Sequence, residues 1–259
     1  MSTLALQMFG ADLLKLRKKR STVAWALVLA VAPVVVFFTV KAIQHSSNPL
    51  QHEPAGGLHG YTDGLRAMAL FFAPLAAILI GVEAGAGDSS AGVFRDLVVT
   101  GRSRAALFAA RVPAALALCW AVTLASFAML LAGSFLFASN LPTPGFTLIL
   151  NGLGFALLAT GIVCVVAVGL SALTTSKPAS ITALIGWQLV ASPLIAQVGS
   201  LGSARKGLLS QAVAHFSPVR VGGHSESVSM VQGTALIVLV AWLAVFLALG
   251  AWRTRTMDA

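Results

Sequence analysis

Charge is the scarcest property of this sequence. Only 10% of its 259 residues are Asp, Glu, Lys or Arg, whereas 58% are hydrophobic and the mean hydropathy is +0.90. Because soluble globular domains typically carry about 25% charged residues, this chain has too few to cover a surface in contact with water. The composition therefore indicates a membrane protein.

Several features that carry chemistry are also missing. The chain has no G-x-x-x-x-G-K-[ST] phosphate loop, so it does not supply ATP chemistry itself. Its apolar runs contain no His, which argues against a haem enzyme, and no ionisable residue near mid-bilayer, which argues against a proton-coupled carrier. Cys119 and Cys164 lie in apolar runs, where we expect small apolar fillers. We predict no enzyme activity and no cofactor or metal bound by this chain.

Long apolar runs are what the sequence has instead. A run of about 18 or more residues is long enough to cross about 30 Å of hydrocarbon as a helix. A single charge-free stretch, residues 112–176, is divided by the turn sequence SNLPTPG. The pattern predicts an all-α integral membrane protein, one domain over residues 1–259. Its six transmembrane helices are expected at residues 22–43, 65–86, 112–138, 146–174, 179–199 and 231–252.

The basic residues predict the orientation of these helices. With the N-terminus in the cytoplasm, twelve Lys and Arg residues lie inside and five outside, in agreement with the positive-inside rule. The surplus places both termini in the cytoplasm and accounts for the net charge of +9 without nucleic acid. A cleavable signal peptide is the competing interpretation of residues 1–43, but the apolar stretch exceeds the usual core of about 7–15 residues.

Two additional helices are expected outside the spans. In residues 3–20, Leu6, Phe9, Leu13 and Leu16 recur at helical spacing before a basic run, which predicts an interfacial helix in the headgroup layer. The alternative is that this segment is only a topology signal. Near the other end of the chain, GLLSQAVAHFSPVR predicts a short outer helix before span six, ended by Pro218.

The outer loops hold all five histidines, which are His45, His52, His59, His215 and His224. Together with Glu53 or Glu226 they could bind a metal ion. The loop from Gln44 to Gly60 is rich in Pro and Gly, however, so the seven-residue spacing carries little information there. Solvated polar residues are the preferred interpretation.

The loop between spans two and three contains one short charged segment, GDSSAGVFRDLVVTGRSR, over residues 87–104. Asp88, Ser89 and Ser90 are suited to begin a helix, and Gly101 to end it. One apolar stripe would consist of Val93, Phe94, Leu97 and Val98. We predict an amphipathic helix over about residues 89–100, which must cover its stripe with lipid or with a partner.

This loop resembles the corresponding cytoplasmic loop of type-two ABC transporter permeases, the drug and polysaccharide exporter family. Those proteins typically have an acid at the end of span two, a Gly before a short helix, a Ser-Arg turn and a basic residue that opens span three. The matching positions here are Glu83, Gly92, Ser103 with Arg104, and Arg111. Two positions depart from the pattern, since Val93 follows the Gly and Gly101-Arg102 replaces a frequent Pro.

The resemblance implies that residues 89–100 form a coupling helix that sits in a cleft of a separate ATP-binding subunit. Phe94 and Leu97 would be its apolar contacts, and Gly92 its turn. The charged rim would consist of Arg95, Asp96, Arg102 and Arg104. ATP and Mg²⁺ would belong to that partner, present in two copies, together with a second permease that is identical or different.

The resemblance also implies a pathway near spans one, two and five. Candidate lining residues are Phe71, Phe72, Trp187 and Gln188, for which ordinary helix packing or lipid contact is the alternative. Pro74 and Pro193 are expected to weaken spans two and five locally. We expect Glu83 to be a structural acid, paired with an Arg of the following loop, because a buried acid near the membrane is costly unless paired.

The sequence as a whole therefore favours the permease subunit of an ATP-driven exporter of hydrophobic or amphipathic solutes, such as drugs, peptides or lipid-linked molecules. Its Ala-rich composition favours a bacterial plasma membrane. The alternatives are a membrane anchor that transports nothing and a secondary or metal transporter. The identity of the solute and of the partners does not follow from the residues.

Overall fold

The computed structural model describes residues 2–92, 103–219 and 230–256, and the described residues form helices and connecting turns without a strand. Six of the helices are long and apolar enough to cross a membrane. The predicted number of six is therefore confirmed, and the chain has the architecture of a multi-pass membrane protein. We number the helices α1 Ser2–Lys18, α2 Arg20–Ser47, α3 Gly57–Ser90, α4 Arg104–Leu136, α5 Phe146–Thr174, α6 Lys177–Gln197, α7 Leu209–His215 and α8 Gln232–Thr256.

The second spanning helix begins earlier than predicted. The loop from Gln44 to Gly60 was expected to be irregular and span two to begin at about residue 65, but residues 57–64, GLHGYTDG, form the first turns of α3. Tyr61 is fully buried there and donates a hydrogen bond to the Leu148 carbonyl of α5 at 3.2 Å. The glycines allow this packing, since a Cβ at Gly64 would lie 2.5 Å from a methyl group of Leu130. Tertiary packing thus overrides the local turn signal.

Helices α3 and α5 form the centre of the bundle. In the most apolar stretch of α5, 72% of the residues are buried, compared with 17% in α8 and 17% in α6. The contact uses the sequence Gly81-x-x-x-Gly85, because a Cβ on Gly81 would lie 2.6 Å from the Cys164 carbonyl oxygen and one on Gly85 would lie 2.4 Å from that of Val168. Small residues therefore bring these two backbones together.

Helix α4 joins the centre through hydroxyl and indole groups. The Thr123 hydroxyl lies 3.1 Å from that of Thr160, and the Trp120 indole donates to the Leu157 carbonyl at 3.1 Å. Cys119 and Cys164 are free and buried in the same region, as expected for apolar fillers. Side-chain hydrogen bonds between helices thus supplement apolar packing where α4 crosses α5.

The N-terminal helix α1 packs most of its apolar stripe against the rest of the protein. Leu16 is buried, and Phe9 and Leu13 contact the core, whereas Leu6 is 67% exposed. The predicted amphipathic pattern is present. The helix packs mainly against α4. Helix α7 likewise buries Leu209 against the bundle.

We predict that Gly85→Ala lowers the free energy of unfolding by about 1–3 kcal/mol, because the added methyl group overlaps the α5 backbone. The measurement is unfolding of the full chain in mixed micelles by titration with sodium dodecyl sulfate. Gly154→Ala is the matched control, since no atom of another part of the chain lies within 4 Å of a Cβ there. Equal effects of the two substitutions would contradict the packing argument.

Candidate functional site

A network of charged side chains lies at one end of the bundle. It consists of Lys15, Lys19, Glu83, Asp88, Arg111 and Lys177. We call it the charge network, and we call the end where it lies the basic end. Its members come from α1, the joint between α1 and α2, α3, α4 and α6. Two acids therefore hold together most of the elements that meet at this end.

The first half of the charge network surrounds Asp88, near the end of α3. Asp88 is 2% exposed, and its Oδ2 lies 3.0 Å from Nη2 of Arg111, which is itself 4% exposed. The Arg111 guanidinium also donates to the Gly85 carbonyl at 3.4 Å, and Lys15 of α1 pairs with the other oxygen of Asp88. If either partner of such a buried pair is removed, the other charge is left buried and unpaired, which is strongly destabilising.

The second half surrounds Glu83, one and a half turns earlier on α3. The Lys177 ammonium lies 3.0 Å from Oε2 of Glu83, and Lys19 bonds to Oε1. Five residues along an α-helix correspond to a rotation of about 140° beyond one full turn, at 3.6 residues per turn. Glu83 therefore faces α2 and α6, whereas Asp88 faces α1 and α4.

The environment of α1 shifts the titration of its own charged groups. Burial raises the pKa of Asp12, and the neighbouring Lys15 and Arg111 partly oppose that shift. Burial also lowers the pKa of Lys15, and repulsion from Arg111 adds to the effect. Both shifts disfavour the charged form, as expected for groups removed from water. One face of the C-terminal half of α1, which carries Asp12, Lys15 and Leu16, is thus packed against the bundle at the basic end.

These contacts correct two predictions. The described partners of Glu83 are two lysines from α6 and the α1–α2 joint, not the expected Arg, and the arginine of the next span pairs with Asp88 instead. Asp88 itself was expected to begin a new helix together with Ser89 and Ser90, but all three continue α3. The signal for Asp88 was available, since an acid that follows an apolar run by one turn requires a partner.

Most residues of the predicted coupling helix lie outside the described residues. The residues outside the described ranges are 93–102, which include the predicted contact residues Phe94, Arg95, Asp96, Leu97 and Arg102. On the near side, Gly92 has a φ of +73°, a left-handed conformation that glycine adopts without strain. On the far side, the Ser103 hydroxyl accepts a hydrogen bond from the Ala106 amide and caps α4, and Arg104 donates to the Arg255 carbonyl at 3.2 Å.

The four predicted pathway residues lie in two π-helical turns. Phe71 and Phe72 belong to the turn Met68–Phe72, immediately before Pro74, and are 46% and 37% exposed. The other turn, Trp187–Ala191, precedes Pro193. Trp187 packs against Trp242 of α8, with the ring centroids 5.9 Å apart. The structure thus places Trp187 beside α8 and leaves the two phenylalanines on the surface of the chain.

Gln188 has a specific role in joining α6 to α3. Pro74 has no amide hydrogen, so the carbonyl of Leu70, four residues earlier, loses its usual helical donor. The Gln188 Nε2 donates to this carbonyl at 3.1 Å. The side chain therefore compensates for the proline, which the sequence pattern did not reveal because the two residues are 114 positions apart.

Two histidines of the predicted outer loops, His45 and His52, lie close together. His45 Nδ1 lies 2.6 Å from the His52 carbonyl oxygen, and no three His, Cys, Asp or Glu side chains in the described ranges form a group that could hold a metal ion.

None of the known protein-family models matches the sequence. No curated protein matches it either.

We predict that Asp88→Asn lowers the free energy of unfolding by about 3–5 kcal/mol, because it removes a carboxylate from beside a buried guanidinium. Asp63→Asn is the control, since Asp63 pairs with Lys41 on the surface at the opposite end and is 54% exposed. The same unfolding titration compares the two variants. A loss for Asp88→Asn no larger than that for Asp63→Asn would contradict a structural role for the charge network.

We also predict that Gln188→Leu lowers the free energy of unfolding by about 1–3 kcal/mol, because the Leu70 carbonyl then loses the hydrogen bond from the Gln188 amide. In a Pro74→Ala background the cost falls, since the restored amide hydrogen can bond to that carbonyl. A double-mutant cycle measures this coupling. Additive effects of the two substitutions would show that Gln188 does not compensate for the proline.

Proposed function

We propose that this chain is the membrane-spanning permease subunit of an ATP-driven exporter, and that a separate ATP-binding subunit supplies the energy. The observation that carries the proposal is the charge network, which lies at the base of the very segment whose sequence resembles a coupling helix. The basic end would then face the cytoplasm, as the positive-inside rule predicts.

The geometry supports transmission from that segment into the bundle. On its near side, Asp88 lies four residues before Gly92 and is held by Lys15 of α1 and Arg111 of α4. On its far side, Arg104 bonds to the C-terminal turn of α8. A force on residues 93–102 would therefore be passed to several helices at once, because the flanking residues Asp88 and Arg104 are bonded to α1, α4 and α8.

The segment itself has the composition of a small docking surface. Phe94 and Leu97 would fill an apolar cleft of the ATPase, while Arg95, Asp96 and Arg102 would form the rim. Two ATPase copies would bind two permease chains, as a homodimer or a heterodimer. ATP and Mg²⁺ would be bound by the ATPase, and closure of its dimer would move the coupling helices.

The two π-helical turns suggest where the bundle would respond. They interrupt α3 and α6 near Pro74 and Pro193, and such turns inside helices often mark functional positions. Phe71, Phe72, Leu189 and Val190 are exposed beside them, so a second permease could cover this face and enclose a pathway. The apolar character of the face favours a hydrophobic or amphipathic solute such as a drug, peptide or lipid-linked molecule.

We predict that affinity purification of this chain from its native membranes in mild detergent retains a protein with a phosphate-loop motif, identified by mass spectrometry. Phe94→Ala combined with Arg95→Ala should reduce its recovery at least about tenfold, because truncation of a central interface residue costs about 2 kcal/mol or more. Phe146→Ala is the matched control, since Phe146 is 78% exposed at the opposite end.

The outcomes separate the possible functions. Reproducible absence of any ATPase would contradict the proposal and favour a secondary carrier or a membrane anchor. Recovery that is unaffected by the double substitution would move the docking surface away from residues 93–102. Solute-dependent stimulation of ATP hydrolysis in the reconstituted complex distinguishes a transporter from an anchor that binds an ATPase without moving a solute.

A further inference from the structure

A cavity of about 280 Å³ opens between three helices beside the charge network. Its lining comes from the start of α2, the second half of α3 and the start of α6. The lining residues are Ser21, Thr22, Trp25, Leu79, Val82, Glu83, Lys177 and Ile181. One wall is therefore apolar, and one end carries charges and hydroxyl groups. This is the polarity pattern of an amphipathic ligand that lies along the bundle.

The charges around this cavity leave a positive surplus. Glu83 is the acid among the lining residues, and both of its oxygens are already engaged by the ammonium groups of Lys19 and Lys177. The lining thus carries one negative charge, Glu83, and one positive charge, Lys177, and Lys19 adds a second positive charge beside it. The Lys19 side chain is 33% exposed and that of Lys177 is 28% exposed. Each ammonium group can therefore still donate a hydrogen bond to a further anion. Arg17, Lys18 and Arg20 are exposed at the adjoining joint between α1 and α2.

The remaining polar groups are suited to the same kind of ligand. The hydroxyls of Ser21 and Thr22 have no hydrogen-bond partner among the described residues, so they are available as donors. Trp25 is 61% exposed at the cavity, one turn further along α2. A Trp side chain in this position is typical of the boundary between hydrocarbon and headgroups. The polar end of the cavity is thus at headgroup depth.

We propose that this cavity binds an anionic phospholipid from the leaflet at the basic end. The headgroup phosphate contacts Lys177 and the hydroxyls of Ser21 and Thr22, and an acyl chain lies along Trp25, Leu79 and Ile181. The occupant is a bilayer lipid rather than a soluble phosphate, because most of the lining is apolar and the cavity lies between spanning helices. The site does not depend on the proposed ATP-driven transport.

This assignment predicts that Glu83 lowers the affinity of the cavity for an anionic lipid. As the only counter-charge at the lining, it weakens the attraction for an anionic headgroup while it holds α3 against α6. Removal of its charge should therefore strengthen lipid binding even though it weakens the helix contact. A residue with a purely structural role would not raise the affinity when it is replaced.

The experiment uses the full chain in phosphatidylcholine nanodiscs with increasing amounts of dibrominated phosphatidylglycerol. Bromine quenches nearby tryptophans, so the difference between the native chain and Trp25→Phe isolates the signal of Trp25 from the other four tryptophans. We expect half-quenching at about fivefold lower mole fraction than with dibrominated phosphatidylcholine, the effect of about one lysine near an anionic headgroup. Salt at about 0.5 M should reduce this preference by screening.

Three variants make the test specific. Lys177→Gln should remove most of the preference for phosphatidylglycerol, and Glu83→Gln should increase it. Lys41→Gln is the control, because it removes a lysine that pairs with an acid at the opposite end. Equal quenching by the two lipids, or a preference that is unchanged in Lys177→Gln, would overturn the proposal. If Lys177→Gln fails to fold, a decrease in Glu83→Gln or an absence of salt dependence would overturn it equally.

Discussion

Hydrocarbon offers no hydrogen-bond partners, so a bundle that crosses it must satisfy each buried polar group from within. The described part of this chain obeys that constraint throughout, since no buried side-chain nitrogen or oxygen lacks a partner there. Ser126 bonds to the Ala30 carbonyl at 2.6 Å, and Ser134 bonds to the Gly57 carbonyl at 3.0 Å. Each such bond joins two helices. These two serines therefore mark positions where helices meet.

The same constraint explains the form of the charge network. An isolated carboxylate near the membrane is costly, and in this chain each of two acids is paired with two cations from different parts of the bundle. Their positions on α3, five residues apart, direct the two pairs to opposite sides of that helix. Helix α3 thus becomes the element to which α1, α4 and α6 are fastened at the basic end.

Much of the fold could be predicted from the sequence, because span number depends on apolar length, a property of local composition. The same is true of the apolar stripe of α1 and of the two prolines beside the π-helical turns. Which residues far apart in the sequence pair with each other could not be predicted. Nothing local distinguishes Lys19 or Lys177 from Arg95 as a partner of Glu83, and the helical start of α3 at Gly57 depends on burial of Tyr61 against α5. The coupling-helix interpretation remains a prediction.

The close approach of α3 and α5 has a consequence for how the molecule can move. Where the two backbones touch at Gly81 and Gly85, the α5 side chains nearest the contact are those of Ala167 and Ser171, which are too small to give way by more than a little. If one helix slid past the other, its carbonyl groups would meet larger residues in place of glycine. We therefore expect this pair to move as one rigid unit. Helix α8 is held to α5 in the same way, because a Cβ at Gly169 would lie 2.3 Å from the Phe246 carbonyl oxygen. Motion is then left to α2 and α6, in whose most apolar stretches only 22% and 17% of the residues are buried. Conformational change in this bundle would then be a movement of these peripheral helices relative to a fixed core.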